Sequence, residues 1–218
     1  MRPTWRPSIF TPDRILRLAL LAVSAAVALA AAPAVTLSAT PALYHGTDPA
    51  RLCAKATQRW EKITKIPTNL LTAISFAESG RWSAAQRSMH AWPWTVTSGG
   101  PGKYFASKPE AMAEVRSLQA KGVQNIDVGC MQVNLHFHGH NFDSLSAAFD
   151  PDINTAYAAK YLKQMRDGAG SWAEAAGYYH SMTPERTSVY RARVEKFWAE
   201  IGNDGSDTQI ASAEPNHP

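Results

Sequence analysis

The chain has 218 residues, of which 45% are hydrophobic, 18% charged and 10% aromatic; these values exclude a disordered or collagen-like polymer and suit one domain with a real core. Its formal charge is +4, but Arg2, Arg6, Arg14 and Arg17 stand against Asp13 alone in residues 1–34, so the remaining chain is nearly neutral. Phosphate binding needs clustered lysines and arginines, and their dispersal argues against a nucleic-acid-binding body.

Residues 1–34 read as an export signal. Arg14 and Arg17 precede an apolar run from Leu18 to Ala32 in which Ser24 is the one polar residue. A basic flank, a short apolar stretch and small residues form the pattern of a secretory signal peptide, with cleavage expected between 30 and 42. The alternative is an uncleaved membrane anchor; the run falls short of the ~20 residues of a spanning helix, and Pro33 ends it. Export places Cys53 and Cys130 in an oxidising compartment, where they are expected to pair.

Asp48 and Pro49 read as the cap and first residue of a helix with Leu52, Cys53, Ala56, Trp60 and Ile63 at core spacing. A second helix is predicted from about Thr68 to Ser79, ending at Gly80. Residues 81–106 are rich in Trp, Gly and Pro. Within them Trp94–Thr97 and Tyr104–Phe105, joined through Ser98–Lys103, predict a hairpin. Ser107 and Glu110 form a capping box for a helix closing at Gly122. Further helices are expected from Pro151 to Arg166 (carrying Ile153, Tyr157, Tyr161 and Leu162), from the Ser171–Glu174 cap through Tyr179, and from Pro184 to Ile201 with Val189, Tyr190, Val194 and Phe197. The expected class is mainly α, a helical bundle with a small β-hairpin insertion, over residues 48–201. Residues 202–218 read as a disordered tail.

Glu78 is a carboxylate in an unusual place. It follows Leu71 and Ile74 by seven and four residues, so it shares their inward face. It also lies in the last turn of its helix, where exposed carbonyls disfavour an anion. Both effects raise its pKa and suit it to general-acid work.

Ile74-Ser75-Phe76-Ala77-Glu78-Ser79-Gly80 resembles the catalytic Glu-Ser-Gly motif of the soluble lytic transglycosylase (SLT) family, whose fold is lysozyme-like. Gly129-Cys130-Met131-Gln132 resembles that family's Gly-Leu-Met-Gln segment. Ile153-Asn154, with Tyr161-Leu162 beyond it, resembles its Asn-Ile region, and Ala176-Gly177-Tyr178-Tyr179-His180-Ser181 stands where the family has Ala-Tyr-Asn-Ala-Gly. His180 and Ser181-Met182 depart from that last motif, and Cys130 replaces its usual Leu, consistent with the bridge to Cys53. Trp92-Pro93-Trp94-Thr95 is similar to an alphaproteobacterial subgroup, some members of which serve flagella or secretion systems.

The resemblance implies a periplasmic peptidoglycan lytic transglycosylase, monomeric and needing no metal or organic cofactor. Glu78 would be its single catalytic acid, cleaving the MurNAc-GlcNAc bond to leave a 1,6-anhydromuramyl end. Ser79, Met131, Gln132, Tyr179 and Trp94 are the expected glycan-binding residues, and Trp92, Tyr104 and Phe105 further aromatic candidates. Two alternatives remain: a hydrolytic muramidase using Asp127 as second carboxylate, and a non-catalytic wall-binding component of an envelope-spanning machine. His136, His138 and His140 alternate as zinc ligands can on an extended segment, but no further ligand pattern completes a site, and a polar loop is expected there.

Overall fold

The computed structural model describes residues 48–203; the expected export signal, its cleavage range and residues 204–218 of the expected tail lie outside them, while Gly202 and Asn203, read as the start of that tail, continue the last helix. Among the described residues no helix is long and apolar enough to cross a membrane. Helix α1 (Pro49–Thr64) starts where Asp48 accepts a hydrogen bond from the Ala50 N–H, with Pro49 at the first position. Its buried positions are Ala50, Cys53, Ala56, Thr57 and Glu61. Ile63, expected in the core, is exposed because two residues beyond Glu61 is about 200° around the helix.

Helix α2 (Leu70–Ser79) is buried at every position except Glu78. Its N-terminus has no side-chain cap of its own: Asn69 is left-handed, with φ 68°. Glu61 reaches across from α1 instead, accepting from the N–H groups of Asn69 (2.8 Å) and Thr72 (3.0 Å). At the other end Gly80 is extended, not left-handed, and its glycine is required for another reason: a Cβ there would lie 2.3 Å from the Phe76 carbonyl oxygen.

The chain then forms a hairpin that the sequence did not announce, β1 (Gly80–Ser83) with β2 (Ser88–Ala91). The expected hairpin follows as β3 (Thr95–Thr97) and β4 (Lys103–Tyr104). Two further strands, β5 (Asp127–Val128) and β6 (Val133–Asn134), complete a four-stranded antiparallel sheet in the order β4-β3-β5-β6. Helix α3 (Lys108–Ala120) begins at the Ser107 cap. After β6 come the single turns α4 (Leu135–His138) and α5 (Leu145–Ala148), then α6 (Pro151–Ala169), α7 (Trp172–His180) and α8 (Pro184–Asn203). The architecture is mainly α with a small antiparallel sheet.

Two apolar clusters build the body. One gathers Leu70, Leu71, Ile74, Phe76, Leu162, Tyr190 and Val194 from α2, α6 and α8; the other lies under the sheet around Val96, Val115, Val128 and Phe149. Ile153 and Val189 belong to neither core and are exposed. Cys53 and Cys130 are disulfide-bonded, Cα atoms 5.6 Å apart, tying α1 to the turn between β5 and β6. With a sequence separation of 77, chain-entropy reasoning gives the bridge on the order of 4 kcal/mol.

Candidate active site

A groove of about 1200 Å³ runs between the sheet, with α4, on one side and α7 and α8 on the other. Glu78 lines it, as the one residue of α2 that escapes full burial. The Tyr190 hydroxyl, from α8, donates to Glu78 Oε1 at 2.6 Å. Burial is the main influence on the carboxyl and lifts its pKa to about 7; the Tyr190 hydrogen bond opposes the rise, the charge of Asp127 adds to it and Arg193 opposes it. Glu78 is therefore poised to hold or release a proton near neutrality.

Behind Glu78 the glycine turn Gly129–Gln132 is pinned from three sides. Asn154 of α6, fully buried, accepts from the Met131 N–H (2.9 Å) and donates to the carbonyls of Val128 (3.1 Å) and Ala148 (2.9 Å). Gly129 sits at φ 84°, and a Cβ on it would meet the Asn154 side chain at 2.6 Å. Ser79 donates to the Cys130 carbonyl (2.7 Å), and Tyr179 to the Met131 carbonyl (2.8 Å). The end of α2 is thus bonded to the turn on which the disulfide also pulls.

Of the residues expected to bind glycan, Gln132 and Tyr179 line the groove beside Glu78, and Ser79, Met131 and Trp94 do not. Ser79 and Met131 are fully buried, their polar atoms spent on the scaffold. Trp94 is 5% exposed because it and Val96, two apart on one strand face, both enter the core under the sheet. Gln132 is also occupied: its Oε1 accepts from Thr97, and its Nε2 donates to the carbonyls of Thr95 and Gly129. These bonds hold the residue at φ 46°.

Other aromatic residues face the groove. Tyr104, whose hydroxyl donates to the Gly80 carbonyl, lines it with Tyr157 and Tyr161 of α6, stacked at 6.4 Å. The sequence put Tyr157, Tyr161 and Tyr190 on their helices without a role at the site; their hydroxyls on otherwise apolar helix faces were the available signal. Asp127 lines the same groove, accepts from Asn134 Nδ2 (2.7 Å) and has its pKa raised, chiefly by burial.

The histidine segment is not extended but turns through α4 into a 3-10 turn, which sends its imidazoles to separate partners. His138 Nδ1 meets the Tyr157 hydroxyl at 2.8 Å, His140 contacts Asn141, and His136 packs edge-on against Phe137. His180, of α7, stacks on the Tyr190 ring with centroids 4.6 Å apart.

The transglycosylase SLT domain family model matches residues 55–192. The chain belongs to that family. Lytic transglycosylases of the SLT family act on peptidoglycan, and the matched span contains Glu78, the glycine turn, Asn154, Tyr179 and Tyr190. The match is to the SLT domain as a whole and lends no support to the alphaproteobacterial subgroup. No curated protein and no solved structure gives a significant match.

Proposed function

We propose that this SLT domain cleaves the MurNAc-GlcNAc β-1,4 bond of peptidoglycan with Glu78 as its single acid and base. The observation that carries the reading is Glu78 itself: half-buried, its pKa raised to about 7 by burial, and bonded to Tyr190 in a groove of about 1200 Å³. Protonated Glu78 gives its proton to the glycosidic oxygen as the bond to the anomeric carbon breaks, and positive charge develops on the muramyl ring. The carboxylate so formed takes the proton of the muramyl 6-hydroxyl, whose oxygen closes on the anomeric carbon. Glu78 is protonated again, and the product is a 1,6-anhydromuramyl end formed without water. The export signal read at residues 1–34 supports a periplasmic site of action.

Asp127 in the same groove supports a second reading, in which it activates water and the product is a reducing sugar. Digestion of purified sacculi followed by mass spectrometry separates the two, because hydrolysis adds the mass of one water to every cut. Anhydro ends that disappear in Glu78→Gln are the expected result. Undiminished digestion by that variant would sink the proposal, and a native protein that digests nothing would favour the wall-binding alternative instead.

A further inference from the structure

Glycan strands of peptidoglycan carry a peptide on the lactyl group of each muramic acid, and that peptide is rich in carboxylates. A muramyl ring placed at Glu78 must therefore send its peptide out over one rim of the groove. The rims differ in charge. Among the described residues, Arg186 and Arg193 are the only lysines or arginines lining the groove, and both come from α8. The sheet side offers Thr97, Asn125, Asn134 and the acidic Asp127.

The two arginines are seven residues apart, so they lie on one face of α8, about 10 Å apart along its axis. Val189 stands between them on that face, 74% exposed. Of the other cations of α8, Arg191 pairs with Glu195 and Lys196 with Glu200; Arg193 itself lies over the Phe197 ring, 5.9 Å from its centroid, a contact to the face of the guanidinium and not to its N–H edge. Among the described residues no carboxylate lies within salt-bridge distance of Arg186 or Arg193. Glu185 also lines this rim, giving an acceptor for an amine beside two donors for carboxylates.

We propose that the α8 rim formed by Arg186, Val189 and Arg193 binds the stem peptide of the glycan strand, so that the enzyme prefers peptide-bearing over denuded peptidoglycan. This rests on the function proposed above. The arginines take the peptide's carboxylates, Val189 covers its alanyl methyl groups and Glu185 faces the amino group of the diamino acid.

The test compares kcat/KM on intact glycan strands with that on strands stripped of peptide by an amidase. The native enzyme should favour intact strands. Each exposed ion pair should be worth about two- to fivefold, so Arg186→Gln with Arg193→Gln should lower the intact-to-stripped ratio by roughly four- to twenty-five-fold. Arg186→Glu should lower it further than Arg186→Gln. A native ratio of one, or a ratio unmoved in the variants, overturns the proposal. A native protein that cleaves neither substrate defeats the proposed function instead, and binding then decides the rim on its own. Titration of the protein with synthetic L-Ala-γ-D-Glu-diaminopimelyl-D-Ala should give saturable binding that the double variant loses. Equal binding by both proteins, or none by the native chain, overturns the site.

Discussion

The hydroxyl of Tyr190 donates to Glu78 Oε1 at 2.6 Å, across 112 residues of sequence. The bond favours the ionised carboxyl and so works against the burial that lifts its pKa to about 7. It also holds the carboxyl in one orientation, because α8 and α2 pack directly on each other.

The first prediction concerns pH. A general acid must be protonated to act, so kcat/KM on sacculi should fall as pH rises through about 7. Tyr190→Phe removes the influence that lowers the pKa, so its alkaline limb should move to higher pH. Loss of orientation should at the same time cost roughly tenfold in maximal rate. A pH–rate profile of both proteins checks this; a limb that moves to lower pH in the variant contradicts it.

Asp127→Asn separates one carboxylate from two. The negative charge of Asp127 raises the Glu78 pKa, so its removal should shift the alkaline limb toward lower pH. In the single-acid mechanism the maximal rate should stay within a few-fold of native. If Asp127 instead activates water, the rate should fall by about 100-fold or more. Steady-state rates at pH 5–6 decide.

Glu78 should also weaken the fold as it ionises. Its folded pKa, about 7, lies above the ordinary value of 4.5, so the native state binds more protons than the unfolded chain between those values. Stability is then lost as pH rises through that window, by up to about 3 kcal/mol at completion. Glu78→Gln keeps the acceptor for Tyr190 and does not ionise. Its stability relative to native should rise by up to about that amount between pH 4 and pH 8. Urea titrations at the two pH values measure the difference, and a gap independent of pH contradicts the assignment.

Glu61 caps a helix that is not its own. Glu61→Ala would leave the N–H groups of Asn69 and Thr72 without their acceptor at the buried start of α2. The expected loss is about 2–4 kcal/mol, visible as a lower melting temperature. A change below about 0.5 kcal/mol would show that water replaces the carboxylate.

Where a local pattern decided the structure, the sequence was readable. Asp48, Ser107 and Ser171 all cap helices as expected, and Glu78 emerged because α2 is so apolar that one acid on its face stands out. The Thr95–Thr97 hairpin was legible from its glycine turn. Strands β5 and β6 were not, since two residues carry no period. Trp94 read as a sugar-stacking wall because composition cannot tell which face of a strand looks at solvent. Tyr190 was only one more residue of its helix, because its partner is fixed only when α8 meets α2. Glu61 was silent for the same reason, its bonds being made to the backbone of another helix.

Asn154 shows how narrowly one position is specified. Its oxygen faces a donor and its nitrogen faces two acceptors, so aspartate, of the same size and outline, would turn oxygen lone pairs toward two carbonyls. What matters at this position is where the hydrogens are, not shape. Spontaneous hydrolysis of that single amide would leave every heavy atom but one unchanged, and it would still unfasten the loop behind the reacting acid.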